Sequence, residues 1–212
     1  EINLNKLTKT FVIAEVGINH NGNIEKAKDL INAAAESGYD AVKFQTYKSE
    51  TRIPDIKHDL YKILKKFELK YSDFEILKEH CEKNAINFMS TVFHVDDFNY
   101  LKTIGTNIYK ISSFDLTNYV LINEVSKSGK TIIISTGMGD ISEIDKAYEI
   151  LKKNSNDFSI LHCISSYPLL EENSNLKAIN TLSKRYKCPI GYSDHTNDII
   201  SPLYSIAVGS KI

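Results

Sequence analysis

Short apolar runs recur along the chain, each followed by polar residues and then by a stretch at helical spacing. Phe11-Val12-Ile13-Ala14 reads as a buried strand, and after a glycine-bracketed turn from Gly17 to Gly22 a helix follows. Its apolar positions Ile24, Ala27, Leu30, Ile31, Ala34 and Ala35 repeat with helical period, and Gly38 closes it. The spacing predicts a second strand over 41–45, then a long charged connection over 47–71 containing Pro54, of the length often found in lids and binding loops. Ser72-Asp73-Phe74-Glu75 reads as a capping box opening a helix to about Asn84. Strands are expected at 86–89, 108–111, 131–134, 158–161 and 189–191, with helices over 95–104, 119–128, 140–153, 175–186 and from Ile199.

Strand and helix thus alternate seven times, at lengths that suit parallel βαβ crossovers. Gly17 and Gly22 lack the spacing of a dinucleotide fingerprint, so a (β/α)8 barrel fits better than a doubly wound sheet. On this count the eighth strand begins near Ile212, so the expected domain is a barrel over 1–212 with its eighth strand missing or truncated. In that fold the chemistry sits at the C-terminal ends of the strands. Polar residues gather there in this chain: Glu15, Lys43 with Gln45, Ser90 with Thr91, Lys110 with Ser113, Ser135 with Thr136, His162, and Gly191-Tyr192-Ser193-Asp194-His195-Thr196.

Composition narrows the classes. A net charge of -1 gives no support for nucleic-acid or acidic-membrane partners. Apolar runs are strand-sized, well short of the roughly 18 residues of a membrane span. Cys81, Cys163 and Cys188 are odd in number and far apart, which points to a reducing, cytoplasmic setting and to neither a disulfide framework nor a zinc site. No secretory leader is visible, and the ends at Glu1 and Ile212 read as cut from something longer.

Lys43 and Lys110 each interrupt an apolar strand. A buried lysine costs several kcal/mol unless it meets an anion, so the bland reading is a side chain that snorkels outward. Two inward lysines with the hydroxyls of Ser90, Thr91, Ser113, Ser135 and Ser193 would instead suit a phosphate or carboxylate. His195 reads as a metal ligand or an acid–base group, or as a hydrogen-bonded structural residue. His20 and His162 raise the odds of a histidine cluster. Glu15 reads as a general base, a carboxylate supporting a metal, or a helix-capping acid. Cys163 is most simply a small core residue.

Ala14-Glu15-Val16-Gly17-Ile18-Asn19-His20-Asn21-Gly22, Lys43-Phe44-Gln45-Thr46, Ser135-Thr136-Gly137-Met138 and Gly191-Tyr192-Ser193-Asp194-His195-Thr196 resemble the sialic acid synthase family, in order, from about Phe11 to Ile212. The resemblance implies an aldolase-type barrel that condenses phosphoenolpyruvate with the open-chain aldehyde of an N-acetylated amino sugar. It also implies a divalent metal, Mn2+ or Mg2+, and a homodimer of the full-length protein. By position, Lys43, Thr91, Lys110, Ser113, Ser135 and Ser193 match the phosphoenolpyruvate-binding groups. Gln45, Asp115, Tyr167 and Ser165 match the sugar side. His195 matches the first metal histidine, and Glu15 the carboxylate near metal-bound water. Val92 replaces a family proline, and Ser112-Ser113-Phe114-Asp115 replaces a Gly-Ser-Gly-Glu segment, which bears on sugar specificity. The family's second metal histidine and its antifreeze-like domain have no counterpart within 1–212. The 212 residues alone are therefore expected to bind manganese poorly, to lack synthase activity and to be unstable. Two other readings stay open: a Schiff-base aldolase using Lys110 or Lys43, and a non-catalytic binding fragment.

Overall fold

The computed structural model describes residues 2–155 and 157–212. Strands and helices alternate as β1 Ile13–Gly17, α1 Ile24–Glu36, β2 Ala41–Thr46, α2 Ser49–Arg52, α3 Asp59–Phe67, α4 Tyr71–Lys83, β3 Asn87–Val92, α5 Val95–Thr103 and β4 Ile108–Ile111. They continue as α6 Tyr119–Ser126, β5 Thr131–Ser135, α7 Ile141–Asn154, β6 Phe158–Cys163, α8 Lys177–Arg185, β7 Ile190–Ser193 and α9 Ile200–Ala207. The strand order in the sheet is β1-β2-β3-β4-β5-β6-β7, the order that one helical crossover after each strand gives. The chain divides into two compact units, Val12–Tyr109 and Glu1–Phe11 with Lys110–Ile212.

In the unit Val12–Tyr109, β1, β2 and β3 pair in parallel. Val42 and Phe44 in β2 and Phe88 in β3 are buried, and the rings of Phe44 and Phe88 stack at 5.7 Å. Helix α1 starts where the Asn23 side chain accepts from the Lys26 amide, and it buries Ala27, Ile31 and Ala34. The connection over 47–71 is not irregular: it carries α2 and α3. Glu68 holds them, accepting from the Ser49 amide at 2.9 Å and its hydroxyl at 2.7 Å, while the Tyr47 hydroxyl donates to the Leu64 carbonyl at 2.9 Å. Charged residues around them hid these helices in the sequence, although Leu60, Ile63, Leu64 and Phe67 of α3 stand at helical spacing and Leu64 is buried. Helix α4 begins one residue before Ser72. The N-cap is Lys70, whose amide donates to Asp73 at 2.9 Å, so the cap lies two residues ahead of the Ser72 and Glu75 pair expected to form it.

In the other unit, β5, β6 and β7 pair in parallel, and every residue of β5 and β6 is buried. Asp140 and Glu143 form a capping box at the start of α7. Near the chain start, Leu4 is buried and its amide donates to Asp157, whose carboxylate also accepts from the Thr131 hydroxyl. The last two residues extend the ladder: the Lys211 amide donates to Ile190, the Tyr192 amide to Ile212, and the Phe11 amide to Lys211, at 2.8, 2.8 and 2.9 Å. The eighth-strand position thus begins at Lys211, and Phe11 beside it is buried. Gly191 permits this approach, since a Cβ there would stand 2.6 Å from the Ile212 carbonyl oxygen. The outer face of α9, with Ile199, Leu203 and Tyr204, is exposed.

Candidate active site

Parallel register builds the first cluster, in the unit Val12–Tyr109. It sets Glu15 beside Lys43 and Gln45 beside Thr91, and the two-residue period keeps Lys43, Gln45 and Thr91 on one face. The Lys43 ammonium is ion-paired with Glu15 and donates to the Thr91 hydroxyl at 3.4 Å. Its side chain is 14% exposed against 48% for Glu15, so a part-buried ammonium meets a carboxylate that still reaches water. Gly17 sits just beyond, at φ +53°, where a Cβ would stand 2.8 Å from a Glu15 carboxylate oxygen. Ser90 lies outside this group. Strand alternation turns it to the opposite face, where its hydroxyl is 2.7 Å from that of Thr46. His20 accepts from the Gly22 amide at 3.0 Å, and burial lowers its pKa, so it is a neutral turn residue.

The second cluster lies in the other unit, at the ends of β4 to β7. The buried Lys110 ammonium donates to the Ser135 hydroxyl at 2.6 Å and to the Ile111 carbonyl at 2.8 Å. Ser113 accepts from the Gly137 amide at 2.9 Å. A Cβ on Gly137 would stand 2.4 Å from the Ser165 hydroxyl, 2.9 Å from that of Ser113 and 3.1 Å from the Cys163 sulfur, so three side chains close around this glycine. Ser193 ends β7 in register with Cys163. His195 Nδ1 lies 2.8 Å from the Ile164 carbonyl and 4.0 Å from the Cys163 sulfur, and the Tyr167 ring covers the imidazole at 4.0 Å between centroids. Asp115 is buried and accepts from Ser112 at 2.8 Å, while its neighbour Phe114 is exposed. Beside this cluster a cavity of about 430 Å³ opens between Met138, His162, Cys163, Lys177 and Leu182.

Two readings of the sequence change here. His162 does not join His195: alternation along β6 puts it on the face opposite Cys163, where Nε2 bonds the Ser174 carbonyl at 2.8 Å and the ring stacks on Tyr192. Burial lowers its pKa. Cys163 is more than a small core residue. Burial raises its thiol, but His195, Ser113 and Lys110 outweigh burial and bring it down to about 7. Burial likewise works against the His195 cation, yet Cys163, the Ile164 carbonyl and Asp194 raise its pKa. With its Nδ1–H committed to Ile164 at 2.8 Å, the ring acts on the sulfur at 4.0 Å through its field and not through a second full hydrogen bond. The signal for Cys163 was available: it ends β6 on the inward phase of the alternation. Gly137 gave none, because its role depends on three side chains remote in sequence.

His195 keeps Nε2 for a ligand, the arrangement in which the other ring nitrogen fixes the tautomer. Among the described residues no three His, Cys, Asp or Glu side chains gather to hold a metal ion. The described side chains by themselves do not make a complete site for the divalent cation that the resemblance implies.

The sequence model of the NeuB family matches residues 30–212, and the chain belongs to that family. It is 45% identical over 204 residues to the uncharacterized protein MJ1065 of Methanocaldococcus jannaschii, covering 96% of this chain and 60% of that protein. It is 37% identical over 221 residues to the N,N'-diacetyllegionaminic acid synthase of Legionella pneumophila, covering 95% and 62%. The chain thus spans about three-fifths of the length of these relatives. The crystal structure of the N-acetylneuraminic acid (sialic acid) synthetase of Leptospira borgpetersenii, in complex with citrate, superposes with a TM-score of 0.95 at 41% identity, covering 100% of this chain and 76% of that one. A truncated 3-deoxy-D-arabino-heptulosonate 7-phosphate synthase of Thermotoga maritima superposes with a TM-score of 0.74 at 18% identity, covering 99% and 77%, which speaks to the fold alone. The fold is the α/β barrel of the aldolase type. No helix of the described residues is long and apolar enough to cross a membrane.

Proposed function

We propose that this protein is a phosphoenolpyruvate-dependent synthase of a nonulosonic acid, with an N-acylated amino sugar aldehyde as acceptor. The observation that carries the reading is the buried Lys110 ammonium joined to Ser135 at a strand end, with Ser113 and His195 in the same cluster. A desolvated ammonium with hydroxyl donors is a strong anion subsite. Donor carbon C3 attacks the aldehyde carbon as the carbonyl π pair moves onto the aldehyde oxygen, which takes up a proton. Water adds at C2 with loss of a proton, and cleavage of the C2–O bond, as the new hydroxyl becomes the keto group, releases phosphate. Lys110, Ser113, Ser135 and Ser193 are proposed to bind donor oxygens. Lys43 and Thr91 are proposed as donor ligands too, and Glu15, oriented by Lys43, to take the proton of the attacking water. Ser165, Tyr167, Gln45 and Asp115 are proposed on the acceptor side. Mn2+ or Mg2+, with His195 as one ligand, a cytoplasmic site of action and a homodimer belong to the same proposal.

The test is phosphate release by the purified protein given phosphoenolpyruvate, N-acetylmannosamine or a diacetylated amino sugar, and manganese. Release that needs the sugar supports the reading. A covalent adduct with pyruvate on borohydride treatment, with no sugar-dependent phosphate release, would replace it with a Schiff-base aldolase.

A further inference from the structure

We infer that Tyr167 is a positioning residue for His195: its ring, carried on the loop after β6, holds the imidazole in the one orientation that leaves Nε2 available. The inference rests on the proposed role of His195 in that chemistry.

A histidine ring turns easily about its last side-chain torsion, which is broad and roughly two-fold, and a flip exchanges a nitrogen for a carbon at the same place. Something must select one orientation if Nε2 is to do chemistry. Three contacts from one short loop make the selection. The Ile164 carbonyl takes Nδ1 at 2.8 Å. The Tyr167 ring lies 4.0 Å from the imidazole, tilted by 40°. The Leu169 amide donates to the His195 carbonyl at 2.8 Å, and Leu169 pairs with Thr196 in an isolated parallel bridge. The Asp194 carboxylate closes the turn from the other side, accepting from the Thr196 amide at 3.1 Å and its hydroxyl at 2.9 Å.

The backbone contacts fix where His195 starts, and the Ile164 carbonyl bonds one edge of its ring. Neither stops the ring from rotating out of that bond. The tyrosine face does, because rotation would drive the imidazole edge into it. Tyr167 is 75% exposed, so it contributes little as a core residue, and its ring meets the imidazole at 4.0 Å. On this geometry it is the aromatic ring that touches His195.

The test compares Tyr167→Phe with Tyr167→Leu, after thermal melts confirm that both fold. In ligand-free protein labelled with 15N at histidine, the His195 signals, assigned by their loss in His195→Gln, report the tautomer at one fixed pH. Wild type and Tyr167→Phe are expected to show a single Nδ1–H tautomer, and Tyr167→Leu an averaged pattern. In the synthase assay Tyr167→Leu should lower kcat by up to about 10²-fold, the size of effect a misplaced group produces, with the KM for phosphoenolpyruvate unchanged. A single-tautomer spectrum in Tyr167→Leu overturns the inference, and so does an averaged pattern in Tyr167→Phe, which would give the role to the hydroxyl. If His195→Gln remains fully active, the proposed role of His195 falls, while the spectra still decide whether Tyr167 places the ring.

Discussion

Lys43 and Lys110 each interrupt an apolar strand, and the fold treats them differently. Lys43 meets the carboxylate of Glu15, which is half in water. Lys110 is buried more deeply and donates to two neutral oxygens, at Ser135 and Ile111. The exposed pair is satisfied as it stands, and its charges are screened by solvent. The Lys110 ammonium acts in a drier setting, where its attraction for an anion is stronger. The anion subsite proposed at Lys110 can therefore be tested against Lys43 residue by residue.

The largest effect is expected from Lys110→Ala, which should weaken phosphoenolpyruvate binding by about 2–5 kcal/mol if the donor's charge is buried against it. Lys43→Ala should cost fold stability only about 0–1 kcal/mol, because Glu15 can be resolvated. Titration calorimetry and urea melts measure the two. Donor affinity unchanged by Lys110→Ala would erase the proposed distinction.

Next come the hydroxyls. Ser135→Ala removes a buried bond to a charged group and should destabilise by about 1.5–3 kcal/mol. Thr91→Val loses only a 3.4 Å contact and should fall below 1 kcal/mol. Equal losses in denaturant midpoints would mean that Lys43 leans on Thr91 as heavily as Lys110 does on Ser135.

The glycines beside the clusters differ in kind. Gly137→Ala is an overpacking change, about 1–3 kcal/mol, because its Cβ meets Ser165, Ser113 and Cys163. Adding Ser165→Ala should recover part of that loss. Gly17→Ala pays for its left-handed backbone, about 1–2 kcal/mol, and Glu15→Ala should recover little. Calorimetric melts of the single and double variants decide it; rescue at Gly17 but not at Gly137 reverses the assignment.

The smallest effect is on pH dependence. His20 and His162 are buried and have lowered pKa values, so the unfolded chain binds more protons than the native one near pH 6. Stability is full above the unfolded value of about 6.5 and falls as pH drops below it, by at most about 1.4 kcal/mol per pH unit for each histidine. His162→Gln, whose amide can still donate to Ser174, should flatten that part of the profile. Urea midpoints from pH 8 to pH 5 that do not move would show that these rings titrate freely in the fold.

Much of the strand framework was legible because buried parallel strands read as unbroken apolar runs, and Ile132-Ile133-Ile134 announces itself. The apolar criterion ended several strands early, though. β3 runs on through Ser90, Thr91 and Val92, β5 through Ser135, β6 through His162 and Cys163, and β7 through Ser193. Thr91, Ser135, Cys163 and Ser193 among them belong to the clusters of the candidate site, since function puts polar groups inside the ladder. The two helices of 47–71 were hidden for a related reason: their anchor, Glu68, binds Ser49 across 19 residues.

The sequence by itself determined the alternation of strand and helix, the likeness to one family and the identity of the polar residues at each strand end, because local periodicity and short motifs are written in neighbouring positions. Only the tertiary structure decided which of those polar residues face one another. Register placed Glu15 beside Lys43 and turned Ser90 and His162 away. It brought Cys163, Gly137 and Ile164 into contact with groups 24 to 32 residues distant. A side chain's field and hydrogen bonds act over a few ångströms of space, and the packing of the strands sets that distance.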